Sequence, residues 1–411
     1  MLDINKIRDN KAEIERALLK RVKKDDLKLD QILALDEKRK ELIPEVENLQ
    51  AERNKFSKTK PDQEIIKKMK EVGEKIKQLE EKRDKVESDL RELLSALPNI
   101  PAEDVPAGGK ENNQVIRTFG RKPNFGFEAK DHVNLATSLK LIDYERAAKM
   151  SGSGFWAYTG KGALLEWALL NYFIDFHRKN GYQFLIPPYL LNEDSAFVSG
   201  HLPKFKDDLY WTQDKTCLNA TSEMMLGNFH RDEILEDLPK KYFAFSTCFR
   251  REAGSYRTEE RGMIRGHQFN KIEMFIFSKP EESWQAFEEL NKYAEKLVEG
   301  LDLHYQTSLL AAGDASAAMS KTVDIEVWIP SMNCYKEVSS VSNALDYQAR
   351  RGNVRYKNKE TGRNEFVHTL NASGLATSRL IPAILEQFQN QDGSVKVPKA
   401  LQKFLGEKIL K

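Results

Sequence analysis

Apolar residues in the first hundred positions recur with the spacing of a coiled coil. Between residues 65 and 97 they alternate in steps of four and three, and only Arg83 interrupts the seam. Residues 32–56 carry an earlier seam in the same spacing, within which Pro44 is expected to introduce a kink. The pattern predicts two long helices that pair through these seams.

Two breaks in the helical pattern set the predicted domain organisation. Residues 57–62, Ser-Lys-Thr-Lys-Pro-Asp, favour a turn, so the second helix should fold back antiparallel on the first. At 1.5 Å per residue this hairpin would be about 40–50 Å long. Residues 98–109 contain three prolines and two glycines, which end the helical region. We therefore predict an arm domain at 1–105 and a second domain at 106–411.

The second domain has a different pattern of polar and apolar residues. Residues 323–329 alternate with period two, as a half-buried strand does, and residues 242–249 and 272–277 indicate further strands. Residues 164–178 and 375–388 favour helices. Strands and helices do not alternate regularly, so the pattern predicts an α+β fold, with helices packed against a central antiparallel sheet.

Charge changes this picture only locally. The chain has 65 Lys and Arg against 63 Asp and Glu, a net charge of +2, so the whole molecule has no general attraction to nucleic acid. Residues 53–70, around the predicted turn, hold seven basic and two acidic residues. This tip is either a solvated helix surface or a surface that contacts phosphates.

Several classes of protein are disfavoured. No apolar run reaches the 18 residues of a membrane span and the first residues lack a secretory signal, so we expect a cytoplasmic protein without a membrane partner. Cys217, Cys248 and Cys334 are far apart, which argues against a disulfide framework and a structural zinc site. They are predicted to be reduced core or strand residues. Neither of the two common glycine-rich nucleotide-binding motifs is present.

The densest group of chemically useful residues surrounds a charged loop between two predicted strands. Residues 248–255 are Cys-Phe-Arg-Arg-Glu-Ala-Gly-Ser, and residues 262–273 are Gly-Met-Ile-Arg-Gly-His-Gln-Phe-Asn-Lys-Ile-Glu. Arginines at strand ends beside such a loop favour bidentate binding of phosphate or carboxylate. Each arginine taken alone is more often a solvated surface charge.

This stretch resembles motif 2 of the class II aminoacyl-tRNA synthetases, and residues 267–273 are similar to its second strand in the seryl-tRNA synthetase family. The resemblance extends along the chain. Segments similar to this family are 35–39, 52–58 and 97–101 (the helical arm), 181–188 (motif 1, a dimerisation element), 221–223, 337–343, 346–351 and 368–379 (motif 3). The chain departs from motif 3 at Ala372 and Ser378, where glycine is usual.

The resemblance implies an activity. A family member uses ATP to convert L-serine to seryl-adenylate and transfers the serine to the 3′ end of tRNA(Ser), with tRNA(Sec) as a further acceptor. It also implies a homodimer. Two alternatives stay open. The first is a homologue that charges a carrier protein, and such homologues lack the long arm. The second is a catalytically silent paralogue, and such paralogues typically lose the phosphate-binding arginines or the metal-site acids.

The resemblance also assigns the ATP site. Arg250 would bind the α-phosphate and Arg379 the γ-phosphate, and both are the expected catalytic residues because charge develops on phosphate oxygens. Phe269 would stack on adenine, and Glu252 would help to hold the base. The other residues assigned to ATP are Arg251, Gly266, Glu337, Val338, Ser339 and Ser340.

The amino acid and the metal are assigned in the same way. A small polar substrate such as serine is recognised through hydrogen bonds to its hydroxyl group, and buried acceptors would reject alanine. Glu337 and Ser340 would bind Mg²⁺, and no zinc is expected because the thiols form no recognisable zinc ligand set. The residues assigned to serine are Thr221, Glu223, Glu273, Asn371 and Ser373.

The basic tip gains a role from the resemblance. The arm of this family binds the long variable arm of its tRNA, for which contacts with phosphates and sugars suffice. The residues predicted to contact tRNA are Arg53, Lys55, Lys58, Lys60, Lys67 and Lys68.

Overall fold

Two units make up the chain, residues 1–100 and residues 101–411. A computed structural model describes residues 1–56, 63–253 and 262–411. The domain boundary that the sequence predicts between residues 105 and 106 lies near this division and stays a prediction. Within the described ranges no helix is long and apolar enough to cross a membrane.

The first unit is helical, and its two long helices confirm the predicted hairpin. Leu42 and Val46 of the first long helix pack with Leu79 and Val86 of the second in one apolar cluster. The first long helix continues through Pro44. The helices of this unit are α1 (Ile4–Asp9), α2 (Lys11–Leu18), α3 (Lys24–Leu27), α4 (Leu29–Phe56) and α5 (Gln63–Ala96).

The seam differs from the predicted one near the end of α5. Leu94 is buried there, whereas Leu93, the residue expected from the heptad count, is only partly buried. An α-helix has 3.6 residues per turn, so a strict heptad count drifts by about 20° per repeat and the next position turns inward.

A buried carboxylate ties helix α1 of the first unit to α4. Asp36 is fully buried and accepts hydrogen bonds from Nη2 of Arg8 at 2.5 Å and from Nη2 of Arg39 at 3.0 Å. Burial alone would raise the pKa of Asp36, but the hydrogen bonds from Arg8 and Arg39 hold it below its ordinary value. The charged carboxylate therefore stabilises this unit.

The second unit is α+β, as predicted. Its helices are α6 (His132–Ser138), α7 (Tyr144–Ser151), α8 (Lys161–Lys179), α9 (Glu193–Val198), α10 (Ser222–Leu226), α11 (Ser283–Gly300), α12 (Tyr347–Gly352), α13 (Thr377–Gln387) and α14 (Lys399–Leu405). Its strands are β1 (Gln114–Phe119), β2 (Ile142–Asp143), β3 (Ala157–Tyr158), β4 (Gln183–Leu185), β5 (Leu190–Leu191), β6 (Cys217–Leu218), β7 (Ile234–Leu235), β8 (Lys240–Phe249), β9 (Gln268–Ser278), β10 (Tyr305–Leu309), β11 (Lys321–Ile329), β12 (Cys334–Leu345), β13 (Arg355–Lys357), β14 (Asn364–Phe366), β15 (His368–Ala376), β16 (Val395–Lys396) and β17 (Ile409–Leu410).

The central sheet has eight strands in the order β1-β10-β11-β12-β15-β9-β8-β4. Its neighbours are antiparallel except for β4 and β8, which are parallel, so the sheet is not wholly antiparallel. Strand β4 follows helix α8 and is joined to β8 by a long connection, so no hairpin imposes an antiparallel pairing.

The alternation of strand β9 explains how the sheet is covered. Ile272, Met274 and Ile276 point to one face and join the main apolar cluster, which includes residues of α8, α11 and α13. The three predicted strands are present, as is the helix at 164–178. The helix predicted from residue 375 begins instead at Thr377, because the residues before it extend the central strand β15.

The cysteines fit their predicted role as reduced residues. Cys217 and Cys248 are buried in strands β6 and β8, Cys334 begins strand β12, and all three thiols are free.

We predict that Asp36→Asn lowers the free energy of unfolding of the full chain by about 2 kcal/mol, because the charge-assisted hydrogen bonds from Arg8 and Arg39 are weakened. The matched variant Asp30→Asn should change it by less than about 0.5 kcal/mol, since Asp30 pairs with Lys11 at an exposed surface. Urea unfolding followed by helix content measures both. Equal effects of the two variants would contradict the prediction.

This difference should also depend on pH. A carboxyl whose folded pKa is lowered stabilises the fold above its unfolded pKa of about 3.9, and that stability is lost as the pH falls through the folded pKa. The gap between the wild type and Asp36→Asn should therefore be full at pH 7 and shrink below about pH 4.

Candidate active site

A cavity of about 510 Å³ opens on the polar side of the central sheet. Strand alternation turns Lys271 and Glu273 of β9 towards this cavity, opposite the apolar residues that face the helices. Ten of the residues that the sequence assigned to substrates line it: Thr221, Glu223, Arg250, Glu252, Glu273, Glu337, Ser340, Asn371, Ser373 and Arg379.

A second cavity of about 50 Å³ shares part of this lining and contains three more of the assigned residues, Gly266, Phe269 and Val338. Two assigned residues line neither cavity. Arg251 is exposed, and Ser339 is fully buried with its hydroxyl donating to the carbonyl oxygen of Ser373 at 2.6 Å. Their assignment to ATP stays a prediction that the geometry does not favour.

One end of the large cavity is a network of hydrogen bonds around Glu273. Its Oε1 accepts from Nδ2 of Asn371 at 3.1 Å, and its Oε2 accepts from the hydroxyl of Ser373 at 3.4 Å. Ser373 lies directly opposite Glu273 in the pairing of β15 with β9. Lys271 completes the network, with its ammonium group paired to Oε2 of Glu273 and donating to Oγ1 of Thr221 at 2.7 Å.

Glu223 is the second carboxyl group at this end. It lies in the first turn of α10, where Thr221 is the N-cap and accepts a hydrogen bond from the backbone N–H of Glu223 at 3.3 Å. Its Oε1 accepts from Nε2 of Gln348 at 2.7 Å. Burial, and next the negative charge of Glu273, raise the pKa of Glu223 to about 7. A cationic ligand would stabilise its charged form.

The other end of the cavity is held by arginines. The guanidinium of Arg250 lies 5.2 Å from the centre of the Phe269 ring, and its Nε donates to the carbonyl oxygen of Ala220 at 3.2 Å. Nη1 of Arg379 donates to the backbone oxygen of Glu337 at 2.8 Å and lies 3.4 Å from its Oε2. These backbone anchors fix the guanidinium groups in the cavity wall, where they can bind an anion.

Side chains with oxygen atoms that could bind a metal ion lie beside the arginines. Glu337 and Ser340 line the same wall, and Asp324 lies opposite Ser340 in the pairing of β11 with β12. Burial, and next the charge of Glu337, raise the pKa of Asp324 well above its ordinary value. Among the described residues, no three His, Cys, Asp or Glu side chains form a cluster suited to a metal ion.

Glu166 of α8 joins two elements of the arginine-rich end. Its Oε1 accepts from Nδ2 of Asn270, the residue after Phe269, at 2.8 Å. The same atom accepts from the hydroxyl of Thr377 at 2.7 Å, at the start of the helix that carries Arg379. Burial raises the pKa of Glu166 to about 7. This carboxyl group thus links strand β9 to helix α13.

Three residues of this site, Lys271, Arg265 and Glu166, had no role assigned from the sequence. Nη1 of Arg265 donates to Oε2 of Glu252 at 2.5 Å, next to the cavity. The period-two spacing of Phe269, Lys271 and Glu273 indicates that Lys271 shares a strand face with two assigned residues, and this signal could have identified it. No sequence signal pointed to Glu166, because its partners are more than one hundred residues away.

The basic residues predicted to contact tRNA lie on the helical hairpin. Arg53 and Lys55 at the end of α4, and Lys67 and Lys68 near the start of α5, are exposed. Lys58 and Lys60 lie outside the described residues. The role of this group stays a prediction.

Comparison with known proteins gives matches over the whole chain. The family "Seryl-tRNA synthetase N-terminal domain" matches residues 1–101, and the family "tRNA synthetase class II core domain (G, H, P, S and T)" matches residues 204–388. Serine–tRNA ligase 2 of Clostridium acetobutylicum is 53% identical, with 99% of each chain covered. Serine–tRNA ligase of Petrotoga mobilis is 46% identical, with 100% of each chain covered.

A solved structure gives the same result. The seryl-tRNA synthetase from Pyrococcus horikoshii, complexed with ATP, superposes with a TM-score of 0.93 at 34% identity. The match covers 100% of this chain and 99% of that one.

We predict that Thr377→Val lowers the free energy of unfolding by about 2 kcal/mol, because it removes the hydroxyl that donates to the buried Glu166. Thr377→Ser keeps this hydroxyl and loses one methyl group, which should cost about 1 kcal/mol or less. The urea midpoints of the two variants give the comparison. A serine variant less stable than the valine variant would show that packing, not the hydrogen bond, matters at this position.

Proposed function

Since the chain belongs to the serine–tRNA ligase family, we propose that it activates L-serine with ATP and transfers the seryl group to tRNA(Ser), with tRNA(Sec) as a further acceptor. The observation that carries this proposal is that one cavity joins a carboxylate-rich end to an arginine-rich end. The first suits a small polar amino acid, and the second suits a nucleoside triphosphate. Neither the carrier-protein alternative nor the silent paralogue has support from the comparisons.

The proposed first step needs no covalent enzyme intermediate. An oxygen of the serine carboxylate attacks the α-phosphorus of ATP, and the bond to pyrophosphate breaks with its electrons on the leaving group. Negative charge increases on phosphate oxygens, so positioned cations lower the barrier. Arg250 would bind the α-phosphate and Arg379 the γ-phosphate. In the second step a hydroxyl at the 3′ end of the tRNA attacks the adenylate carbonyl, and AMP leaves.

The small cavity supports an adenine site. Phe269 offers an aromatic ring, and Gly266 has no side chain; a Cβ there would lie 2.2 Å from the Trp156 ring. Glu252, paired with Arg265, lies at the edge of the same cavity and can accept a hydrogen bond from the amino group of the base.

The residues on the cavity wall fit Mg²⁺. We propose that Glu337 and Ser340 hold this ion, because both offer oxygen ligands and the ion usually takes its other ligands from water and substrate phosphates. When bound, Mg²⁺ would neutralise charge on the phosphate oxygens. The backbone anchor of Arg379 on Glu337 keeps the arginine beside these ligands.

The exposed apolar residues of the second unit support a homodimer. Leu164 and Trp167 of α8 are 57% and 54% exposed, and Ile186, after β4, is 74% exposed. Residues 181–188 are the segment that resembles motif 1. We propose that a second copy covers these side chains, and that the enzyme works in the cytoplasm.

We predict that purified protein with Mg²⁺ and ATP exchanges pyrophosphate in the presence of serine, without tRNA and with no other natural amino acid. Arg250→Lys should lower this rate by ~100-fold, because an ammonium group cannot reproduce the planar bidentate contact. The exposed residue Arg146 provides the control, and Arg146→Lys should leave the rate unchanged. Exchange with a different amino acid, or none with any, would refute the proposed activity.

We predict that replacing the four described basic residues of the tip by alanine raises the KM for tRNA(Ser) by at least about tenfold at moderate salt. Serine-dependent pyrophosphate exchange should not change, because it uses no tRNA. The residues are Arg53, Lys55, Lys67 and Lys68.

The control replaces four exposed lysines farther from the turn at 57–62, and it should leave the KM for tRNA within about twofold. These residues are Lys38, Lys77, Lys82 and Lys85. Equal effects of the two quadruple variants, or intact charging by the tip variant, would remove the tip from the tRNA-binding surface.

A further inference from the structure

Lys271 is a buried cation at the centre of the amino-acid end of the cavity. Only 6% of its surface is exposed, and it lies on β9 between Phe269 and Glu273, on the same face of the strand. Its ammonium group contacts two of the residues assigned to serine, Thr221 and Glu273. A lysine in such a place has lost most of its hydration and must gain from these contacts.

The contacts of Lys271 and its neighbours limit how many further hydrogen bonds Glu273 can accept. Oε2 of Glu273 receives Lys271 and the hydroxyl of Ser373, and Oε1 receives Nδ2 of Asn371. A charged carboxylate has about four acceptor positions and no donor. Three are used, which leaves room for one further donor from the cavity. That donor can be the hydroxyl group of serine.

Lys271 supplies a positive charge beside the two carboxyl groups at this end of the cavity. Glu223 and Glu273 are both nine-tenths buried, and two unpaired carboxylates would repel each other there. Lys271 neutralises Glu273. Glu223, whose hydrogen bond comes from the uncharged Gln348, then remains the complement for the ammonium group of the substrate.

We propose that Lys271 is a specificity-determining residue that acts by positioning: it holds Glu273 as a charged, oriented acceptor for the substrate hydroxyl and prevents it from taking the substrate ammonium group. This inference rests on the proposed serine activation. An amino acid without a hydroxyl, such as alanine, leaves the held acceptor unpaired and is rejected.

The test uses the full chain and serine-dependent pyrophosphate exchange. In Lys271→Ala, kcat/KM for serine should fall by at least ~100-fold, mainly through the KM for serine, while the KM for ATP changes less than about threefold. The preference for serine over alanine should fall as well. Ethylammonium chloride should raise the activity of Lys271→Ala at least about tenfold, because the missing ammonium group lined an open cavity and a free cation can take its place.

Two further substitutions separate positioning from folding. Lys271→Met fills the same space without charge, so it should lose serine activity and show no response to ethylammonium. Lys271→Arg keeps a cation and should retain more serine activity than Lys271→Met. Thermal melts and ATP binding of each variant show whether the fold is intact. If the alanine variant does not fold, the methionine and arginine pair decides the question.

Lys241→Ala is the matched control for the loss of a lysine–glutamate pair in the same sheet. Lys241 binds both oxygens of Glu289 at 2.8 Å and does not line the cavity. It should change stability only, with an unaltered KM for serine. An equal rise in the KM values for serine and ATP in Lys271→Ala, or no response to the amine, would overturn the proposal. Failure of the proposed function would appear separately, as no serine-dependent exchange by the wild type.

Discussion

Residues 271–274 of strand β9 turn charged side chains to one face of the sheet and apolar side chains to the other, and the arrangement of the second unit around the cavity depends on this alternation. Ile272, Met274 and Ile276 face the helices in the main core. Lys271 and Glu273 face the cavity and are buried there as an ion pair. A shift of strand β9 by one residue would turn Glu273 into the core, where an unpaired carboxylate is destabilising.

Buried carboxyl groups recur in this chain, and their partners decide their behaviour. Asp36 has two arginine donors and a lowered pKa, so it contributes stability as a charged group. Among the described residues the hydrogen-bond donors to Glu166 and Glu223 are uncharged, and burial raises the pKa of each carboxyl group to about 7. Glu166 joins strand β9 to helix α13, and Glu223 lines the cavity. The neighbours of a buried carboxyl group thus decide whether it is charged and which elements it holds together.

The two units differ in how much of their surface they bury. The hairpin of α4 and α5 has a narrow apolar seam and exposes most of its charged residues, which suits contacts with a large polyanion. The second unit packs a wide sheet against helices on both faces, which gives a rigid frame for the side chains of the cavity wall. Arg250 and Arg379 are accordingly fixed by backbone oxygens of neighbouring elements.

The sequence alone determined what depends on local spacing: the paired helices, the strands with period two, the α+β class and the residue pattern of the class II motifs. It could not set the inward rotation of Leu94, the first residue of α13 or the parallel pairing of β4, because these depend on packing between distant elements. Only the tertiary structure brought Lys271 against Thr221, and Glu166 against Asn270 and Thr377. Such contacts join residues 50 to 211 positions apart, and no local pattern encodes which buried charge finds which partner.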